Sequence, residues 1–374
     1  MLYKNGFWRL LCMRYKLLGK SGLRVSELCL GGMTFGEDWG SMLPGASKEE
    51  SKKIFELFVN NGGNFIDTAN VYQQGSSEKY VGEFISSERE KYVLATKYTL
   101  TTNPNDPNAS GNHRKNLVQS VDASLKRLNT HYIDLLWVHI WDPMTPIEEV
   151  MRSLDDLVRS GKILYVGISD VPAWVVSYAD AIAEIRGWSP FIGIQVMYNL
   201  IERSVERELL PMARALDIGV TAWSPLAGGV LSGKYNNKQT TTNEQKRYNV
   251  NNPMSASFVN ERNISIATEV QEIAKEINKT PSQIALNWIR QQQQQQQKQN
   301  GVVIIPIIGA RTEAQIKDNL GCLDFELTKD QLKRLDEKSK IQLGFPHDFM
   351  SEAASIFLYG NTFSLIDNHR QGIL

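Results

Sequence analysis

Eight short apolar runs, each followed by a stretch with helical spacing, limit what this chain can fold into more than any other feature. The runs are Leu28–Leu30, Asn64–Ile66, Val93–Thr96, Ile133–Val138, Ile163–Ile168, Phe191–Val196, Gly219–Trp223 and Val302–Ile305. Short continuous apolar runs are the pattern of strands covered on both faces, which is how parallel sheets are built. Eight strands, each with a following helix, close most simply into an α/β fold of the (β/α)8 (TIM) barrel type. A doubly wound open sheet is the alternative arrangement of the same elements. A hairpin around Tyr15 to Val25 precedes the barrel, and extra helices follow its last strand.

The punctuation between runs agrees with this order. Ser47 is placed to cap a helix, with Glu50 three residues on completing a capping box, and Asn61-Gly62-Gly63 ends it. Helical spacing covers 77–85, 117–128, 147–158, 264–277 and 282–289, and another helix starts from Pro172, in its first turn. Thr101 to Asn112 is a long polar loop, and 227–260, rich in Gly, Asn and Thr, reads as a functional loop. The tract Gln291–Gln297 lies ahead of the eighth strand and reads as a tolerated loop expansion on the stability face.

Composition removes several classes of function. Of 374 residues, 42% are hydrophobic, and 41 Lys and Arg balance 41 Asp and Glu. That balance leaves no bulk field for nucleic acid or an anionic membrane surface. No run approaches the roughly 18 uninterrupted apolar residues of a membrane helix. Three distant cysteines (Cys12, Cys29, Cys322) fit a reducing, cytoplasmic compartment, and five scattered histidines show no metal-ligand spacing, so no metal is expected. The expected organisation is an extension over 1–12, one barrel over 13–348 and a tail over 349–374.

The chemistry lies at the ends of the runs. Asp67, Lys97 and His139 stand at or just past the ends of the second, third and fourth strands, and Tyr72 follows Asp67 by five residues. A barrel's catalytic groups gather at the C-terminal rim of its strands. A phenol with a reference pKa near 10 needs help to release its proton, and lowering that value by about two units takes about 2.7 kcal/mol. One ammonium about 4 Å away supplies roughly 4 kcal/mol at an effective dielectric near 20. Lys97 is placed to be that ammonium, Asp67 to keep it charged, and His139 to hydrogen-bond an oxygen on which negative charge develops. Such a set suits proton donation during carbonyl reduction, without a metal.

The segments carrying these residues resemble the aldo-keto reductase family. Gly62-Gly-Asn-Phe-Ile-Asp-Thr-Ala-Asn-Val-Tyr72 is similar to its signature, and Ala95-Thr-Lys97 and Leu135-Leu-Trp-Val-His139 match the stretches holding its Lys and His. Gly161–Ser169, Leu209–Ala213, Trp223–Leu231 and Gly344–Asp348 resemble the aryl-alcohol dehydrogenase-like branch. The resemblance runs from about Met13 to about Asp348. It implies reversible reduction of aldehydes or ketones with NADPH at the barrel mouth, Tyr72 being the proton donor.

The resemblance also assigns cofactor contacts. Ser169, Asp170 and Gln195 correspond to the groups that hold the nicotinamide carboxamide, and Trp223 to the aromatic ring stacked on it. Most members carry Asn where this chain has Asp170, which accepts from an amide NH2 and cannot donate. Ser224, Pro225, Leu226, Gly228 and Lys234 correspond to the pyrophosphate path, and Gly309, Arg311, Gln315 and Asn319 to the adenine end. Arg311 suits a 2′-phosphate, which favours NADP(H) over NAD(H). Met33, Thr34 and Trp141 are candidates to line a pocket for a small carbonyl or alcohol substrate of apolar or aromatic character.

Two decoys are set aside. Gly228-x4-Gly233-Lys234 resembles a phosphate-binding loop, but Tyr235 replaces the required hydroxyl residue. Trp39, Trp137 and Trp141 lack the basic stripe of a nucleic-acid surface, and Trp137 reads as packing. Two other functions stay open for the barrel. It can be an NADPH-binding regulatory subunit with little turnover, or a phosphosugar isomerase without cofactor. Sequence leaves the oligomeric state open.

Overall fold

Side chains along a strand alternate between faces, and here that parity separates two hydrophobic layers. The computed structural model describes residues 13–40, 43–235, 258–295, 301–353 and 357–367. A hairpin, β1 (Tyr15–Leu17) and β2 (Arg24–Ser26), comes first. The parallel strands are β3 (Cys29–Gly31), β4 (Phe65–Asp67), β5 (Val93–Tyr98), β6 (Ile133–Val138), β7 (Ile163–Ser169), β8 (Phe191–Met197), β9 (Gly219–Trp223) and β10 (Ile304–Ile308). They close in the order β10-β3-β4-β5-β6-β7-β8-β9, which rules out the doubly wound sheet.

Leu94, Leu136, Val138 and Ile194 point outward into the core shared with the helices. Phe65, Val93, Ala95, Leu135, Trp137, Ile305 and Ile307 point inward and fill the barrel. The largest of these, Trp137, is fully buried and sets the size of its neighbours. A Cβ on Gly167 would lie 2.4 Å from its ring and one on Gly193 2.9 Å from it. Both glycines therefore make room for a middle layer of the interior. The same inward parity holds for Asp67, Lys97, Ser169, Gln195 and Trp223, which lie at or near the C-terminal ends of their strands. The hairpin closes the opposite end, where the fully buried Leu18 joins the inner cluster.

The helices are α1 (Lys48–Asn60), α2 (Ser76–Ile85), α3 (Arg114–Leu128), α4 (Ile147–Arg159), α5 (Ala173–Arg186), α6 (Leu209–Ala215), α7 (Glu261–Glu276), α8 (Pro281–Gln295), α9 (Glu313–Leu320), α10 (Lys329–Ser339) and α11 (His347–Ala353). The last two are extra to the barrel, as expected. No helix among the described residues is long and apolar enough to cross a membrane.

Four sequence expectations need correction. Ser47 caps α1 by accepting from the Glu50 N–H, but the box is not completed: Glu50 Oε1 instead accepts from the Glu313 N–H at 2.6 Å. A carboxylate that can tie two helix starts together is drawn away from its own cap. Pro172 is the N-cap of α5, extended at φ −65° and ψ 142°, outside the first turn. The eighth strand runs from Ile304 to Ile308, through Pro306, beyond the expected end at Ile305. It pairs with β9 over Ile304–Pro306 and with β3 over Ile307–Ile308, so Pro306 sits where the strand changes partner.

The glutamine tract is the fourth. Gln291 to Gln295 extend α8, where a loop was expected, as the good helix propensity of Gln allows. Gln291 is buried and pairs with the Leu327 backbone in both directions, at 2.7 and 3.1 Å. Gln296 and Gln297 lie outside the described residues, as do the extension 1–12 and most of the loop 235–260.

Candidate active site

Three inward-facing strand ends and one turn bring the four candidate catalytic residues together. Asp67 ends β4, Lys97 lies one residue before the end of β5, and His139 follows β6. Tyr72 opens a 3-10 turn in which Gln73 and Gln74 have φ of 47° and 52°, bending the chain back over the rim. Lys97, fully buried, forms an ion pair with Asp67 and donates to the Thr68 carbonyl at 2.8 Å. The second carboxylate oxygen of Asp67 accepts from Gln195 Nε2 at 3.0 Å. The ammonium lies 4.7 Å from the centroid of the Tyr72 ring. His139 meets that ring edge-on at 5.7 Å and 80°.

Burial and charge decide the protonation states. Burial alone would lower the pKa of Lys97, but the charge of Asp67, together with Tyr72 and the hydrogen bonds to both, more than offsets it, and the ammonium is held above its ordinary range. Burial likewise pushes the Tyr72 phenol up, and Lys97 pulls it back only in part. Lys97 thus lowers the Tyr72 pKa as expected, but the expected net lowering is not reached in the protein alone. The reason is that the phenol loses its water, and the charge of Asp67 adds to that rise. Burial, followed by the charge of Lys97, pushes His139 down to about 3, so its imidazole is neutral near pH 7.

The candidate cofactor residues ring the same mouth. Ser169 ends β7 and pairs in register with Gln195 of β8. Asp170 follows at φ 43°, its carboxylate accepting the Trp223 indole N–H at 3.0 Å. Burial raises the Asp170 pKa, and that hydrogen bond and Lys97 moderate the rise. After β9 the backbone turns through positive φ at Ser224 (51°), Ala227 (48°), Gly228 (62°) and Gly229 (93°). Turns with such residues can point successive N–H groups at one anion. Lys234 folds back over this turn, with its Cε only 2.6 Å from where a Gly229 Cβ would stand. Pro225 and Leu226 lie within the turn. Beyond β10, Gln315 Oε1 accepts from the Arg311 N–H at 2.8 Å and Asn319 donates to the Gly309 carbonyl at 3.2 Å, so both brace the loop that carries Arg311.

Residues 27–340 match the family model described as the aldo/keto reductase family. The chain belongs to that family. It is 35% identical to norsolorinic acid reductase of Aspergillus flavus, over 90% of this chain and 83% of that protein. An aryl-alcohol dehydrogenase of Pestalotiopsis microspora is also 35% identical, over 90% and 85%. An aryl-alcohol dehydrogenase [NADP(+)] of Phanerodontia chrysosporium is 34% identical, over 87% and 86%. As a member, this aldo/keto reductase is an oxidoreductase of a family that uses nicotinamide cofactors.

Around the tetrad, this aldo/keto reductase employs residues that the sequence did not single out. Gln73, fully buried, donates to the Met33 carbonyl at 3.3 Å and accepts from the Trp39 N–H at 3.0 Å. It thereby holds Trp39 edge-on to Tyr72, at 6.2 Å and 81°. Trp39, set aside earlier with the other tryptophans, is thus the half-buried neighbour of the phenol. Only its nearness in sequence to Met33 and Thr34 hinted at this. Of the pocket candidates, Met33 is half-buried and Trp141 packs on the outer core, its N–H donating to the Asp170 carbonyl at 3.3 Å. The Thr34 hydroxyl instead ties its loop to the Ala310 carbonyl at 2.7 Å.

Proposed function

We propose that this aldo/keto reductase reduces aldehydes and ketones with NADPH, and oxidises the corresponding alcohols, with Tyr72 as the proton donor. The observation that carries the reading is the buried Asp67–Lys97 pair set against the face of a half-buried tyrosine. When bound, NADPH supplies the hydride from its nicotinamide C4 to the carbonyl carbon.

The chain's own groups handle the oxygen. Tyr72 holds its proton in the resting protein, because burial keeps the phenol above its ordinary range. It passes that proton to the carbonyl oxygen as negative charge develops there, and the adjacent ammonium stabilises the phenolate left behind. His139 Nδ1 is buried without a hydrogen-bond partner among the described residues. A bare lone pair there costs less than an unpaired N–H, which places the single imidazole proton on Nε2. From Nε2 it donates to the same carbonyl oxygen.

The mouth residues fit the cofactor. Gln195 keeps Oε1 to accept from a carboxamide NH2, since its Nε2 is committed to Asp67. Asp170 keeps its second oxygen for the same purpose. The positive-φ turn after β9 and Lys234 suit a pyrophosphate, and Arg311 a 2′-phosphate. The NADP(+) in the name of one relative supports that preference. The relatives' names also support aromatic carbonyls and alcohols as substrates.

Tyr72→Phe tests the central role. Turnover of an aromatic aldehyde should fall by about 10²- to 10⁴-fold, the usual contribution of a general acid. NADPH affinity, read by fluorescence titration, should change by less than about twofold. A variant that keeps its turnover would refute the role of Tyr72.

A further inference from the structure

Thr99, the residue after β5, has φ of 117°, a backbone state that L side chains rarely adopt and a β-branched one least of all. Such a conformation persists only where the surroundings over-determine it. Here they do. Its carbonyl accepts from the Gly111 N–H at 2.8 Å, closing the base of the exposed loop that leaves β5. Its hydroxyl donates to Asn112 Oδ1 at 2.8 Å and accepts from the backbone N–H of His139 at 3.3 Å. That N–H is shared with the Tyr98 carbonyl at 3.0 Å.

Asn112 is itself fully buried and fixed from two sides. Its carbonyl accepts from the Tyr98 hydroxyl at 3.2 Å, and its N–H donates to Asp142 Oδ2 at 3.1 Å. Asp142 also accepts from Thr145 Oγ1 at 2.7 Å and the Met144 N–H at 2.9 Å. The segment 139–145 is therefore pinned at His139 by Thr99 and at Asp142 by Asn112. Glycine in place of Thr99 would relieve the strain but remove the hydroxyl that links the two pins.

A histidine that works through one ring nitrogen is commonly oriented by a partner on the other. His139 has none at Nδ1 among the described residues. Its imidazole is aimed by its backbone and by its edge contact with Tyr72. We propose that Thr99, seconded by Asn112, is the positioning residue for His139: it fixes the backbone from which an otherwise unsupported imidazole reaches the substrate oxygen. This rests on the role given to His139 above.

The experiment measures kcat with an aromatic aldehyde and the Kd of NADPH for Thr99→Val and Thr99→Ser, each alone and with His139→Gln. Valine keeps the shape and removes the hydroxyl. It should lower kcat by about 10- to 100-fold, the range for a misplaced catalytic group, with the NADPH Kd moved by less than about twofold. Serine restores the hydroxyl and should recover kcat to within about threefold of the parent. In the His139→Gln background, Thr99→Val should lower kcat by less than about twofold more.

Wild-type kcat in Thr99→Val, an equal loss in Thr99→Ser, or an undiminished effect beside His139→Gln would each overturn the inference. If His139→Gln alone left kcat unchanged, the role of His139 would fall first and this one with it. Should Thr99→Val not fold, Asn112→Ala, which removes the acceptor of the hydroxyl, carries the same expectations.

Discussion

Replacing Asp67 by Asn separates the two jobs of the buried ion pair. Both partners lie in the barrel interior, Lys97 with no exposure and Asp67 with 3%. Removing one partner of such a pair leaves a charge without compensation and costs about 3–5 kcal/mol, against about 0–1 kcal/mol for a pair in water. An Asn carries no charge and keeps one acceptor oxygen, enough for Gln195 or for Lys97 but not for both. Burial, the largest influence on Lys97, is then opposed mainly by Tyr72, and the amine should titrate below its ordinary value. The sign follows from proton counting. The unfolded state then binds more protons than the folded one, so the stability deficit of Asp67→Asn shrinks as pH rises above neutrality. The double variant Asp67→Asn/Lys97→Met removes both charges and should return to within about 2 kcal/mol of the parent while remaining unable to turn over. Urea unfolding with linear extrapolation and NADPH oxidation with an aldehyde read the two properties. A deficit below about 1 kcal/mol in Asp67→Asn, or turnover in the double variant, would refute the reasoning.

Three further outcomes follow. Because His139 titrates at about 3, the reduction rate should stay level from about pH 5 to about pH 8, and a break near 6.5 would contradict its neutral state. The same depressed value means that the unfolded chain takes up a proton the folded one refuses, so stability is lost as pH falls from about 6.5 toward about 3. A Cβ on Gly167 would meet the Trp137 ring at 2.4 Å, so Gly167→Ala should lose about 1–3 kcal/mol by overpacking. Adding Trp137→Phe should recover part of that loss; an unchanged melting temperature in Gly167→Ala would contradict the layered packing.

Much of this was legible in the sequence because parallel strands buried on both faces leave continuous apolar runs. A polar side chain ending such a run has few places to be except the rim, and Asp67, Lys97 and His139 were found that way. Tyr72 was found by its distance from Asp67, although its route over the rim depends on positive φ at two glutamines, a conformation that Gln does not advertise. The eighth strand continues past Ile305 because Pro306 sits where the strand changes partner, a tertiary fact without a local signal. The glutamine tract reads as loop by its repetition, yet the helix propensity of Gln lets its first part extend α8. A pairwise attraction between Lys97 and Tyr72 can be reckoned from sequence, whereas the desolvation that outweighs it at the phenol cannot. Thr99 gives no signal at all, since backbone strain is a property of the assembled site.

A single turnover with NADPH deuterated at C4 and an aromatic aldehyde tests the whole account. Deuterium transferred to the carbinol carbon of the product alcohol, with the hydroxyl proton drawn from solvent-exchangeable sites, is the predicted result. Intact NADPH after incubation, or an alcohol without the label, would contradict it.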